Sequence, residues 1–139
     1  MPGLPPFWLK PNLSMFNRDR PSLEDMLRAS RKVRAYAAGT TRESLPTVPM
    51  RLDAVLYEIV VLGEAARRLS PEIRAAHPEV PWREIIGLRS VITHGYDQID
   101  DDELWRVIER DLPDLLSKLE AILAHSPLTI LLLPTALRE

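Results

Sequence analysis

Apolar residues recur at threes and fours along most of this chain and alternate nowhere, a pattern that predicts helices and no strand. The first such run carries Leu23, Met26, Leu27, Val33 and Tyr36. Ser22 is placed as its N-cap, Glu24 and Asp25 lie near the positive helix end, and Gly39 closes it, which predicts a helix over about 22–38. A polar connector with Pro46 and Pro49 follows. The second run predicts a helix over about 50–69. From Ala54 to Leu62 it is apolar nearly all round, with Glu58 as its one charge. Such a helix is buried on more than one side, and in a chain this small one of those sides is expected to meet another subunit. Gly63 permits close approach of a neighbouring helix, at some cost in helix propensity.

Ser70-Pro71 reads as an N-cap with proline at the first helical position, opening a short helix to about Ala76. Pro78 and Pro81 frame a turn, and Trp82, Ile85, Ile86, Leu88 and Ile92 mark a helix over about 81–94. Asp100 and Glu103 form a capping-box-like pair ahead of a last helix over about 101–124. Pro113 falls inside that run and is expected to kink the helix or start it anew. The sum is an all-α, antiparallel bundle of four long helices and one short one.

Three segments follow from the same pattern. Residues 1–21 hold Pro2, Pro5, Pro6, Pro11 and Pro21, a density that predicts a flexible, extended N-terminal arm. Residues 22–125 form the helical domain, and 126–139 an apolar C-terminal extension. The run Leu128–Leu133 in that extension is far shorter than the ~18 apolar residues of a membrane span. The N-terminus lacks the basic region and apolar core of a signal peptide.

Length and composition fit one soluble domain: 139 residues, 45% hydrophobic and 27% charged. The absence of cysteine excludes disulfides and thiolate zinc sites and fits the cytoplasm. A formal net charge of −2 gives no global field for nucleic acid, so RNA binding requires a local patch or the pooled patches of an oligomer, and DNA binding is not expected. Of the 18 cationic side chains only Lys10, Lys32 and Lys118 are lysines, and arginine is the better phosphate fork.

The chemistry concentrates at Gly87–Tyr96, where a permanent cation (Arg89), an imidazole (His94) and a phenol (Tyr96) fall within eight residues. Cleaving RNA through its 2′-hydroxyl needs a base for the 2′-OH proton, an acid for the leaving 5′-oxygen and a cation for the charge gathering on phosphorus. His94 can act as base or acid near neutral pH, and Arg89 can clamp phosphate with paired hydrogen bonds. Positions five apart on a helix are rotated by about 140°, so the two converge only if the helix ends near His94, where Gly95 can terminate it. One chain offers one histidine here; a two-fold dimer would supply two. His77 and His125 lie in other segments, near prolines and with no evident partner.

Residues 53–120 resemble the HepT-like toxins of the HEPN superfamily. The matching strings are Asp53-Ala54-Val55, Gly63–Ser70, Pro81–Arg89, His94-Gly95-Tyr96, Ile99-Asp100, Trp105 and Asp111-Leu112-Pro113. The resemblance implies a HEPN-like helical fold and a dimeric, metal-independent ribonuclease without cofactor, which leaves 2′,3′-cyclic phosphate ends. It also implies the toxin half of a type VII-like toxin–antitoxin pair whose partner, a minimal nucleotidyltransferase, transfers AMP onto the tyrosine of the motif. Carried over, Arg89 and His94 are catalytic at the homodimer interface, Ser90 supports them, and Tyr96 is the modification site. Ser90 stands where the superfamily usually has Asn or Asp, and Tyr57-Glu58 where many relatives have Arg-Asn. A second reading is a non-catalytic helical module that dimerises and docks the nucleotidyltransferase.

Other polar residues have plainer readings. Glu58 is expected to pair with an arginine in the core or interface. Glu64 is expected to orient Arg89 or hold the interface, in either case a structural part. Asp97, Asp100, Asp101, Asp102 and Glu103 read as solvated capping carboxylates rather than a Mg²⁺ site. Arg67 and Arg68 either line an RNA groove or are simply solvated, and Trp82 and Trp105 belong to apolar stripes.

Overall fold

The computed structural model describes the backbone of residues 9–93 and 99–124, and the side chains of 17–89, 92 and 99–124. The described residues form helices and no strand: α1 Leu9–Ala37, a 3₁₀ turn Leu45–Thr47, α2 Pro49–Arg67, α3 Pro71–Ala76, α4 Trp82–Thr93, α5 Asp101–Arg106, a π-helical turn Val107–Asp111, and α6 Leu112–Ala124. The stretch from Asp101 to Ala124 is one continuous run, so the described residues form four long helices and the short α3. No described helix is long and apolar enough to cross a membrane.

Helix α2 is the centre of the bundle. It packs against α1 on one side and α4 on the other, while α6 closes on α1. Val55, Leu56, Ile59, Leu62, Ala65 and Ala66 are buried between those neighbours. The apolar wrap read from the sequence is therefore largely satisfied within one protomer. What stays open is a third strip, where Met50 is 85% and Tyr57 66% exposed. Met50, Ala54, Tyr57, Val61 and Glu64 follow at spacings of four and three and share that strip.

Helix α1 differs from expectation. It includes residues 9–21, the greater part of what the proline content marks as a flexible arm, and Ser22 is an interior position rather than an N-cap. Pro11 stands in the first turn of the helix, where backbone N–H groups have no intrahelical partner to lose. Pro21 is exposed inside the helix and does forfeit one bond, but burial of its neighbours outweighs it. Asp19 is only 3% exposed, and its carboxylate accepts hydrogen bonds from the Ser70 N–H at 3.0 Å and from the Ser70 hydroxyl. Leu23 and Met26 are fully buried. Residues 1–8 and the extension 126–139 lie outside the described residues, as does His125.

The remaining termini follow the local chemistry. Gly39, at φ +76°, takes the left-handed conformation that ends α1. Pro49 occupies the first position of α2. Ser70 caps α3 by accepting from the Ile73 N–H at 3.3 Å. Asp100 caps α5, accepting from the N–H groups of Asp102 and Glu103 at 3.0 and 3.2 Å. Pro113 sits just past the π turn, where the Leu112 N–H reaches back to the Val107 carbonyl. The widened turn absorbs the proline at the point where the sequence pattern calls for a break.

Candidate active site

Arg89 lies on α4, which packs chiefly on α2. The close approach of these helices depends on Gly63. A Cβ there would stand 3.3 Å from the Ile85 carbonyl oxygen and 3.9 Å from the Arg89 Cβ. With no side chain at 63, the backbones close up and the next residue, Glu64, comes within reach of the Arg89 guanidinium. Arg89 Nη1 donates to Glu64 Oε1 at 2.6 Å. The other carboxylate oxygen accepts from Arg67 Nη2 at 3.0 Å.

The result is a linear array, Arg67–Glu64–Arg89, of two cations on one anion. The hydrogen bond from Arg67 is the main cause that holds the Glu64 carboxyl below the ordinary carboxylate range. The charges of Arg67 and Arg89 act in the same direction, against partial desolvation. The Arg89 side chain remains 53% exposed, and among the described residues Glu64 holds its guanidinium at Nη1. A cavity of about 540 Å³ between α4 and the 101–124 run is lined by Leu62, Ile85, Leu88, Val107, Arg110 and Leu115, among others, and Arg89 is not among its walls. The described part of one protomer thus presents Arg89 on a surface rather than inside a pocket.

Of the other site residues expected from the sequence, His94 and Tyr96 lie outside the described residues. Ser90 belongs to α4, but its side chain is likewise outside them. His77 has a partner after all: its Nδ1 is 3.1 Å from Glu79 Oε1, and its carbonyl accepts from the Trp82 indole at 2.8 Å. Trp82 is buried in the core, and Trp105 packs against it.

Glu58 is 6% exposed on the α1 side of α2, with its carboxylate 3.6 Å from Lys32 Nζ, so its cation is a lysine of the same protomer and not an arginine. In the acidic cluster, Asp100 caps α5, Asp102 pairs with Arg42, and Glu103 stands 4.0 Å from Arg106. Asp97 is outside the described residues. Among the described residues no three His, Cys, Asp or Glu side chains converge as a metal site would require. The sequence alone did not reveal Arg67 as the second holder of Glu64; its i, i+3 spacing from Glu64 was the available signal.

A family model described as "Ribonuclease HepT-like" matches residues 26–122. That span includes α2, α4 and the whole described array. The chain belongs to the HepT-like ribonuclease family. A protein of Thermococcus cleftensis that carries the provisional name of a ribonuclease HepT is 28% identical over 72% of this chain and 91% of its own length. A protein of Caldanaerobacter subterraneus subsp. tengcongensis, provisionally named an RNase, is 30% identical over 75% of this chain and 93% of its own. Another provisionally named RNase, from Methanocaldococcus jannaschii, is 35% identical over 50% of this chain and 63% of its own length. No solved structure gives a significant match.

Proposed function

We propose that this HepT-like chain is a metal-independent endoribonuclease whose composite active site, Arg89 and His94 from each of two protomers, lies at the homodimer seam. The observation that carries this reading is the exposed Arg89 guanidinium, fixed on α4 within the segment the family model matches. Arg89 stabilises the charge gathering on the scissile phosphate. His94 of one protomer removes the 2′-hydroxyl proton, and its symmetry mate protonates the 5′-oxygen as the P–O5′ bond breaks. The 2′-oxygen displaces the 5′-oxygen, so the products end in a 2′,3′-cyclic phosphate and a 5′-hydroxyl. Ser90 follows Arg89 directly and supplies a hydroxyl to the same site.

The dimer is supported by the open strip of α2. Met50, Ala54, Tyr57 and Val61 lead along the helix to Glu64, so a second copy seated there adjoins Arg89. The cellular role in this reading is that of a cytoplasmic toxin in a type VII-like toxin–antitoxin pair. A minimal nucleotidyltransferase neutralises it by moving AMP from ATP onto the Tyr96 hydroxyl, with pyrophosphate leaving. An adenylyl phosphate near Arg89 would add negative charge and bulk where RNA must enter.

The test is cleavage of purified cellular RNA in EDTA. The native chain is expected to cut and to leave cyclic phosphate ends, and His94→Ala to lose the activity. Cutting that persists unchanged in His94→Ala refutes the assignment. Co-expression separates the toxin from a docking module: the toxin arrests growth alone and is relieved by the nucleotidyltransferase, whereas a docking module does neither.

A further inference from the structure

We infer that Glu64 is a positioning residue for the cleavage reaction: it aims the Arg89 guanidinium and is itself held by Arg67. The inference rests on the ribonuclease reading above. Glu64 is three-quarters buried and takes one cation on each oxygen, from its own helix and from α4. Arg89 gives it only Nη1. A guanidinium has five donors in a rigid plane, so this contact leaves the Nε–Nη2 edge able to grip a phosphate with two parallel bonds.

An unheld arginine at this exposure would sample many rotamers and would have to be ordered by each substrate. A carboxylate beside a phosphate site has an obvious cost, since it repels the substrate. Arg67 answers that cost: with it the array carries a net positive charge, and its hydrogen bond to the second carboxylate oxygen favours the position in which Glu64 holds Arg89. Gly63 completes the device, because any larger residue there would push α4, and Arg89 with it, away from the carboxylate.

The experiment compares the native chain with Glu64→Gln and Arg67→Ala in two readouts. The first is kcat for cleavage of a defined RNA, together with KM. The second is the order of the Arg89 Nε–H group by ¹⁵N relaxation, its signal assigned by its loss in Arg89→Lys. Glu64→Gln is expected to lower kcat about tenfold with a smaller change in KM, as a misaimed group does. Its Arg89 signal becomes motionally averaged while the melting temperature stays close to native. Arg67→Ala is expected to move both readouts the same way by a smaller factor, about threefold in kcat, and it carries the test should Glu64→Gln fail to fold.

A native kcat in Glu64→Gln overturns the role, as does a lowered kcat with Arg89 still ordered. A native chain that orders Arg89 through Glu64 but cuts no RNA overturns the ribonuclease reading, and the role assigned to Glu64 falls with it. A chain that cuts RNA equally well with and without the Glu64 charge overturns the role alone.

Discussion

Substitution at Gly63 sets two effects of opposite sign against each other. Replacing a mid-helix glycine by alanine gains about 1 kcal/mol in helix propensity. Against this, the new methyl would stand 3.3 Å from the Ile85 carbonyl oxygen, slightly inside ordinary contact, and 3.7 Å from that of Ile86, an ordinary one. Because α4 packs chiefly on α2, it can yield by a few tenths of an ångström, so overpacking should cost about 1 kcal/mol, the low end for such changes. Gly63→Ala is therefore expected to be near neutral in stability. Gly63→Val adds two methyl groups to the same seam. Its propensity gain shrinks to about 0.4 kcal/mol, while overpacking rises to roughly 2–3 kcal/mol. The net loss of about 2 kcal/mol corresponds to a fall in Tm of roughly 8 °C for a chain of this size. Urea unfolding read at constant m value supplies the free energies. A valine variant as stable as the native chain, or more so, would refute the close packing of α2 on α4 and leave propensity as the whole effect. Cleavage assays on the same series should show Gly63→Val losing activity beyond its unfolded fraction, because Arg89 moves with α4.

Two further changes test the outer parts of the bundle. Asp19→Ala removes the acceptor for two Ser70 hydrogen bonds and leaves a part-buried N–H without its partner, so it should cost about 1–2 kcal/mol in urea unfolding. The same loss should not add to that of Ser70→Ala, and a change near zero would mean that α1 does not reach this far. The Arg42–Asp102 pair ties the connector after α1 to the first turn of α5, and the hydrogen bond and charge of Arg42 hold the Asp102 carboxyl below its ordinary value. A lowered folded-state value means that the pair stabilises above the ordinary carboxylate pKa and stops doing so as pH falls through the lowered one. Native protein should melt slightly above Asp102→Asn at neutral pH, with the gap closing on acidification; a gap that widens in acid contradicts the pairing.

Much of the bundle is legible where one residue type has one physical use. Ser70-Pro71 can hardly do anything but start a helix, and α3 begins there. Pro113 had to disturb the last helix, and the π turn before it is the form the disturbance takes. The beginning of α1 was not legible for the same reason turned round. Proline density argues against a helix only where each proline costs a bond, and Pro11 costs none. At Pro21 a local penalty is overridden by distant burial: Asp19 finds Ser70, 51 residues on, and no periodicity within the segment announces it.

The candidate site divides along the same line. Arg89 stands out in the sequence because a permanent cation precedes His94 at a helix end. The group that holds it was legible only as one of two alternatives, to orient Arg89 or to hold the interface, since Glu64 is 25 residues away and belongs to another helix. What the sequence did carry was Gly63, a glycine inside an otherwise apolar helix, which marks a place where another backbone comes close. A close approach also fixes the neighbours of the glycine, so the residue beside it is the one most constrained to touch the incoming helix. Glu64 is that residue, and it is also the last member of the strip that begins at Met50 and Tyr57. One turn of α2 therefore faces both α4 and the open surface. A second copy docked on that surface would bear on Glu64 directly, so a change that loosens the strip, such as Tyr57→Glu beside Glu58, should disturb Arg89 without touching it, read as a loss of order at its Nε–H by ¹⁵N relaxation.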